Sequence, residues 1–155
     1  MVHIYSERLD PFQLQIFRCG HLHFGISAES IKSIADWQTP ARLPNAPSAV
    51  LGVVGVRGHI LTVLDPMILL GETAPSICSS RSLVVLKGDE QLALSVDEVG
   101  ELVEVTGADV QPASNDNSRL VAGRLGHLGK NVLILKENEL FATAIQGRER
   151  RRRRF

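Results

Sequence analysis

Arg57 stands between glycines in the stretch LGVVGVRGHILTVLD, residues 51–65. A guanidinium is a permanent, planar, multi-donor cation that suits a carboxylate or a set of helix-end carbonyls. Arginine is seldom fully buried without a partner. Three roles are open to it: an internal ion pair with an acid such as Asp65, Asp97 or Glu98, a turn that reaches solvent, or a contact with another protein. The other chemistry-bearing residues say less. His21 and His23 would share one face of a strand, but no third metal ligand is evident. His59 and His127 each follow a glycine in segments that resemble one another. Asp97, Glu98, Glu101 and Glu104 supply carboxylates, yet nothing nearby completes a nucleophile and its base. Their alternation with Val and Leu fits a strand with its acids facing solvent. There is no phosphate loop ending in Lys-Ser/Thr and no GxSxG elbow. No catalytic residue, metal site or cofactor is predicted. Trp37 suits a contact surface or core packing equally well.

These residues must be positioned mainly by strands. FQLQIF (12–17) alternates apolar and polar residues, the period of a half-buried strand. Gly20 supplies a turn and HLHFGI (21–26) returns as a second strand. SLVVL (82–86), a turn around Gly88-Asp89, and QLALSV (91–96) repeat that hairpin. VRGHILTVL (56–64) also resembles LGHLGKNVLIL (125–135), each with a Gly-His step leading into an aliphatic strand. The repetition predicts two related β units. Each is marginal alone, and the runs Leu51–Leu64 and Val132–Leu135 are natural surfaces for packing them together. Helical signals are few: a short, ambiguous window at Ala28–Asp36, one turn at 47–51, and Glu137–Gln146 with apolar residues on one face and acids near its start. Residues 41–48, 73–80 and 111–118 read as turn-rich linkers.

The 155 residues suffice for one domain that needs no metal or disulfide staple. Cys19 and Cys78 form no zinc-like or redox spacing and read as thiols in a reducing cytoplasm. No apolar run approaches a membrane span, and no signal-peptide pattern opens the chain. The net charge of zero hides a split. Residues 148–155 carry six arginines and one glutamate, so this tail is +5 and the body 1–147 is −5. Arg148, Arg150, Arg151, Arg152, Arg153 and Arg154 form a solvated terminus or an electrostatic tether to nucleic acid, anionic membrane or an acidic partner.

LPNAP (43–47) followed by VLGVVGVRGHILTVLD (50–65) resembles the signature of the CheW-like family of chemosensory adaptors. LSVDEVGELVEV (94–105) is similar to the family's second block, and Gly123 with VLIL (132–135) to its closing strands. The resemblance covers about residues 12–141. It implies a mainly β fold of two five-stranded, SH3-like barrels packed together, with short helices including a C-terminal one. Residues 1–147 would form a single domain of two pseudo-repeated subdomains, and 148–155 a disordered tail.

By that resemblance the protein is a non-enzymatic cytoplasmic adaptor, peripheral to membrane-associated receptor arrays. It would link a chemoreceptor's cytoplasmic tip to the regulatory domain of a CheA-type histidine kinase, and other CheW-like domains are further partners. Ile31, Gly52, Val53, Val56, Arg57 and Gly58 are the expected partner-binding residues. Arg57, Gly52 and Gly58 fall on the family's arginine and glycines, and Ile31 on an apolar position of receptor contact. The chain departs from the pattern at Gly55, where asparagine is usual, at Thr62, at Pro66-Met67 and at Lys136. Two other functions compete: an assembly module of the same fold that does not activate kinase, and a nucleic-acid-binding small barrel using the arginine tail. The second lacks an aromatic stacking platform and has an acidic body that repels phosphate.

Overall fold

The computed structural model describes residues 11–71, 82–113 and 119–145. Strand β1 (Phe12–Cys19) turns through Gly20, at a φ of 58°, into β2 (Leu22–Ser27). A 3-10 turn at Ala28–Ser30 leads to β3 (Ile31–Asp36), so the ambiguous window at 28–36 is extended. The run 51–65 is a hairpin, β4 (Val50–Val56) and β5 (His59–Leu64). After β6 (Ser82–Leu86) and β7 (Leu92–Val96) come β8 (Glu98–Val105), the two-residue β9 (Gln111–Pro112), β10 (Val121–His127) and β11 (Lys130–Leu135).

These strands form two sheets, ordered β8-β1-β2-β11-β10-β9 and β3-β6-β7-β5-β4. The predicted repeat is present, but its copies do not close on themselves. Hairpin β1–β2, from the first copy, joins strands of the second through a parallel pairing of His23 with Val132. Hairpin β6–β7, from the second copy, joins strands of the first by the same device, Thr62 opposite Leu92. Each sheet is thus built from both halves of the chain.

Burial explains the exchange. Every residue of β7 is buried, as are four of the five in β6. Strands covered on both faces read as continuous apolar runs. Leu83, Val85 and Ala93 point into the interior of one barrel with Val54, Leu61 and Val63. The opposite faces supply Val84, Leu86, Leu94 and Val96 to a larger core, where they meet Phe17, Phe24, Ile26 and Leu135. Phe12, Leu14, Ile16, Val132 and Ile134 fill the other barrel. The large core is the seam, and the two exchanged hairpins make most of it. The unbroken apolar run Leu51–Leu64 suggests the seam, but it contributes only Leu64 there, flanked by the preceding Val50, and its remaining inward residues fill one barrel.

Short helices brace the seam. Asp65 accepts a hydrogen bond from Met67 N at 2.9 Å and caps a helix at Pro66–Leu69, with proline in its first turn. The expected turn at 47–51 is present as a bend closed by Val50 N to Pro47 O, 3.0 Å. Glu137–Glu139 starts as a 3-10 turn and continues as α-helix over 140–145, burying Leu140 and Ala144 in the seam. Gln146 and the arginine tail lie outside the described residues, as does Cys78.

Cys19 is buried in the same core and donates to Ser95 O at 3.3 Å. Burial, more than the nearby carboxylates of Asp97 and Asp65, pushes its thiol from 9.0 up to about 12. The unfolded chain gives up this proton first as pH rises. Its contribution is therefore intact below about 9 and is lost between there and about 12. Urea titrations at pH 8 and 10.5 are expected to show a larger drop for the wild type than for Cys19→Ala. An equal drop would place the titrating group elsewhere.

Candidate partner-binding surface

Hairpin β4–β5 turns on two residues, Arg57 and Gly58, with φ of 51° and 83°. Positive φ at both central positions is the type I′ turn, whose twist matches that of paired strands. Glycine takes this region freely, whereas an arginine is held there at a cost of about 1–2 kcal/mol. Arg57 is exposed at the tip, and among the described residues nothing pairs with its guanidinium. The acids that could have held it are engaged elsewhere. Asp65 caps its helix, Asp97 accepts from Gly20 N at 2.7 Å, and Glu98 accepts from Arg18 Nε at 3.2 Å. Among the described residues Arg57 has no internal ion pair with these acids, and it takes the solvent-facing turn.

The other expected contact residues separate into distinct roles. Val54 and Val56 point into the barrel, while Val53 and Gly55 lie on the outer face of β4. Gly52 has a φ of 143°, and a Cβ there would sit 2.3 Å from the carbonyl oxygen of Ala41. That closeness comes from a paired bridge between Ala41 and Val53, two hydrogen bonds of 2.9 Å. Folding alone thus requires Gly52. Ile31 sits on β3, at the opposite edge of the sheet order from β4, and packs half-buried against the seam. Trp37 is half-buried against the interior of the same barrel. The structure therefore gathers Val53, Arg57 and Gly58 on one exposed hairpin and sets Ile31 apart. Of the departures from the family pattern, Gly55 and Thr62 fall on this hairpin. Pro66 and Met67 are buried in the short helix that follows it, Met67 in the seam.

The other barrel carries an equivalent tip. Leu128 and Gly129 adopt φ of 51° and 76°, the same turn as Arg57-Gly58. The Gly-His steps that suggested the repeat are out of register with each other, because the structural counterpart of Gly58 is Gly129, not Gly126. Leu128 is 75% exposed, and Ile60, beside the first tip, 69%.

Next to Leu128 opens a groove of about 450 Å³, lined by residues that include Ile16, Arg18, His23, Glu101 and Val132. His127 and Glu101 approach to 3.3 Å across its rim. Burial, then the positive charges of Lys130 and Arg18, lowers the pKa of His23. His21 lies in the turn before β2, so the two histidines do not share a strand. No group of three His, Cys, Asp or Glu among the described residues is placed to hold a metal. No local sequence pattern marks this groove. Its signal is the register that sets Arg18 opposite both His23 and Glu98, visible only once distant segments are paired.

Comparison with known proteins agrees with the geometry. The family model for the CheW-like domain matches residues 13–144. The chain is 27% identical to the chemotaxis protein CheW of Rhizobium meliloti over 83% of its own length and 86% of the relative's. It is 27% identical to CheW of Klebsiella aerogenes, covering 80% and 77%. Protein FrzA of Myxococcus xanthus is 31% identical over 62% of this chain and 61% of that protein. The crystal structure of the scaffolding protein TtCheW from Thermoanaerobacter tengcongensis superimposes with a TM-score of 0.75 at 18% identity, covering 85% and 93% of the two chains. That likeness supports the two-barrel fold.

Proposed function

The chain belongs to the CheW-like family, and from that premise we propose that this chemotaxis adaptor couples a chemoreceptor's cytoplasmic tip to the regulatory domain of a CheA-type histidine kinase. It does so as a non-enzymatic scaffold, in the cytoplasm at the periphery of receptor arrays. Among the described residues no helix is long and apolar enough to cross a membrane. One observation carries the reading: Arg57 is held exposed at positive φ on a hairpin tip, with no partner for its guanidinium among the described residues. An exposed cation with no described partner supports a use outside the chain.

Receptor tip fragment, kinase and this protein, reconstituted with autophosphorylation as the readout, test the proposal. Stimulation above kinase alone supports it. Binding without stimulation favours the assembly module of the same fold. Binding to neither partner overturns both. Arg57→Asn separates coupling from stability, because Asn-Gly is the favoured type I′ pair. The variant is expected to melt at the same temperature or higher, by about 0.5–1 kcal/mol of stability, while losing at least tenfold in partner affinity. Loss of both would return Arg57 to a structural role.

The tether carried by the arginine tail has its own test. Truncation after Gly147 is expected to leave receptor and kinase binding unchanged. Salt-dependent binding to nucleic acid or anionic vesicles that disappears with the truncation would instead support the tether.

A further inference from the structure

Among the described residues, six glycines have open space where a side chain would be. Gly58, Gly71, Gly88 and Gly129 are among them, and the positive φ of each favours glycine. Gly55 and Gly126 differ. Both lie inside strands, both are exposed, neither has positive φ, and a Cβ on either would meet no atom within 4 Å. Glycine inside a strand weakens it and often marks a place where something approaches closely. Neither torsion nor crowding explains these two, so the reason lies outside the chain. Gly55 is the more informative because Arg57 beside it fixes the charge of what approaches.

The surroundings of Gly55 narrow the direction of approach. Its carbonyl accepts from Gln38 Nε2 at 3.1 Å, and the bridge from Ala41 covers the same edge at Val53. The edge of β4 is thus occupied here, and a partner strand cannot add to it. The face is open. Across the hairpin from Gly55 stands Ile60, 69% exposed, with the pair Val53 and Thr62 next along. The missing side chain leaves a notch with an aliphatic wall and a cation at its tip-ward end.

We propose that the notch formed by Gly55, Ile60 and Thr62, with Arg57 at its end, takes a bulky apolar side chain from a partner helix that carries a carboxylate one turn away. This rests on the adaptor reading and names the receptor tip's helical segment as the occupant. Arg57 follows β4 directly and lies two positions from Gly55, at most about 7 Å along the chain. Side chains at i and i+3 or i+4 on a helix lie about 5–6 Å apart, so one helix face can present the apolar group to Gly55 and the carboxylate to Arg57. Such helix-on-surface contacts use apolar anchors with a directed polar group. Gly55 then determines partner specificity, because any larger residue fills the space its partner's side chain needs.

The test is a series at one position, Gly55→Ala, Gly55→Val and Gly55→Leu, titrated against a helical receptor tip fragment and, separately, the kinase regulatory domain. All three are expected to fold, since ordinary torsion and open space admit a side chain, and the valine variant to melt slightly higher. Receptor affinity is expected to fall with side-chain volume, at least tenfold by leucine, with kinase affinity within twofold. Wild-type binding with leucine also within twofold of it would overturn the notch and leave the adaptor reading standing. A wild type that binds the kinase but not the receptor would also overturn the notch. Failure to bind either partner would overturn both. A variant that fails to fold at alanine would give Gly55 an internal role and sink the proposal too.

Discussion

Phe24→Ala is expected to remove about 3–5 kcal/mol of stability, the usual range for emptying a buried aromatic site, and to unfold the two barrels together. Phe24 is fully buried, and its ring lies 5.7 Å from that of Phe17, centroid to centroid, in the core between the barrels. Both rings come from the hairpin that the first half of the chain lends to the second sheet. A domain of this kind has about 5–15 kcal/mol in total, so one such change consumes much of it. Neither sheet can keep its strands once the seam opens, because β1–β2 and β6–β7 each have one face in the seam and one in a barrel. Urea denaturation followed by tryptophan fluorescence and by circular dichroism should give one coincident transition. Trp37 reports on one barrel only, so its unfolding at a separate urea concentration would show that the barrels are independent.

Gly52→Ala is expected to cost about 2–4 kcal/mol, against about 1 kcal/mol for Gly58→Ala. Both glycines have positive φ and neighbour the same tip, but their surroundings differ. A methyl at Gly52 would lie 2.3 Å from Ala41 O, and that atom is backbone held by two hydrogen bonds. It cannot withdraw without opening the bridge that covers the edge of β4. A methyl at Gly58 would meet nothing within 4 Å and has only torsional strain to bear. Melting temperatures of the two variants measure the difference directly. Equal losses would mean that torsion, not the contact with Ala41, dominates at Gly52.

The short-range parts of the fold were legible in the sequence. Alternation located β1 and β2, their repetition located β6 and β7, and Gly20 marked the first turn, because these features depend on neighbours along the chain. The exchange of hairpins was not legible, although uninterrupted burial across β6 and β7 follows from their apolar composition. Repetition says that two units are alike, not which copy supplies each strand. The helix at Pro66 could have been found, since Asp65-Pro66 is a cap followed by a first-turn proline. Asp65 reads equally well as the end of a strand or as a partner for Arg57, and that masks the cap. The turn at Arg57-Gly58 was obscured because arginine is an unusual first residue for a type I′ turn, and without that break the run 51–65 looks like one strand. Among the candidate contacts, Arg57 and Gly58 could be identified as a tip once the break was known. Gly52 could not be assigned its structural role, because the carbonyl it makes room for comes from Ala41, across an intervening loop.

The exchanged hairpins also set the order in which the molecule can assemble. Among the described strands β1 and β2 are synthesised earliest, yet β2 pairs with β11 and β1 with β8. Pairings so distant in sequence must close long loops before any contact rewards them, and they slow folding. The opening hairpin, with Phe17 and Phe24, therefore leaves the ribosome long before its partners exist. Folding of this adaptor is expected to finish only after the last strand is released, and its earliest strands are the ones exposed to aggregation for longest.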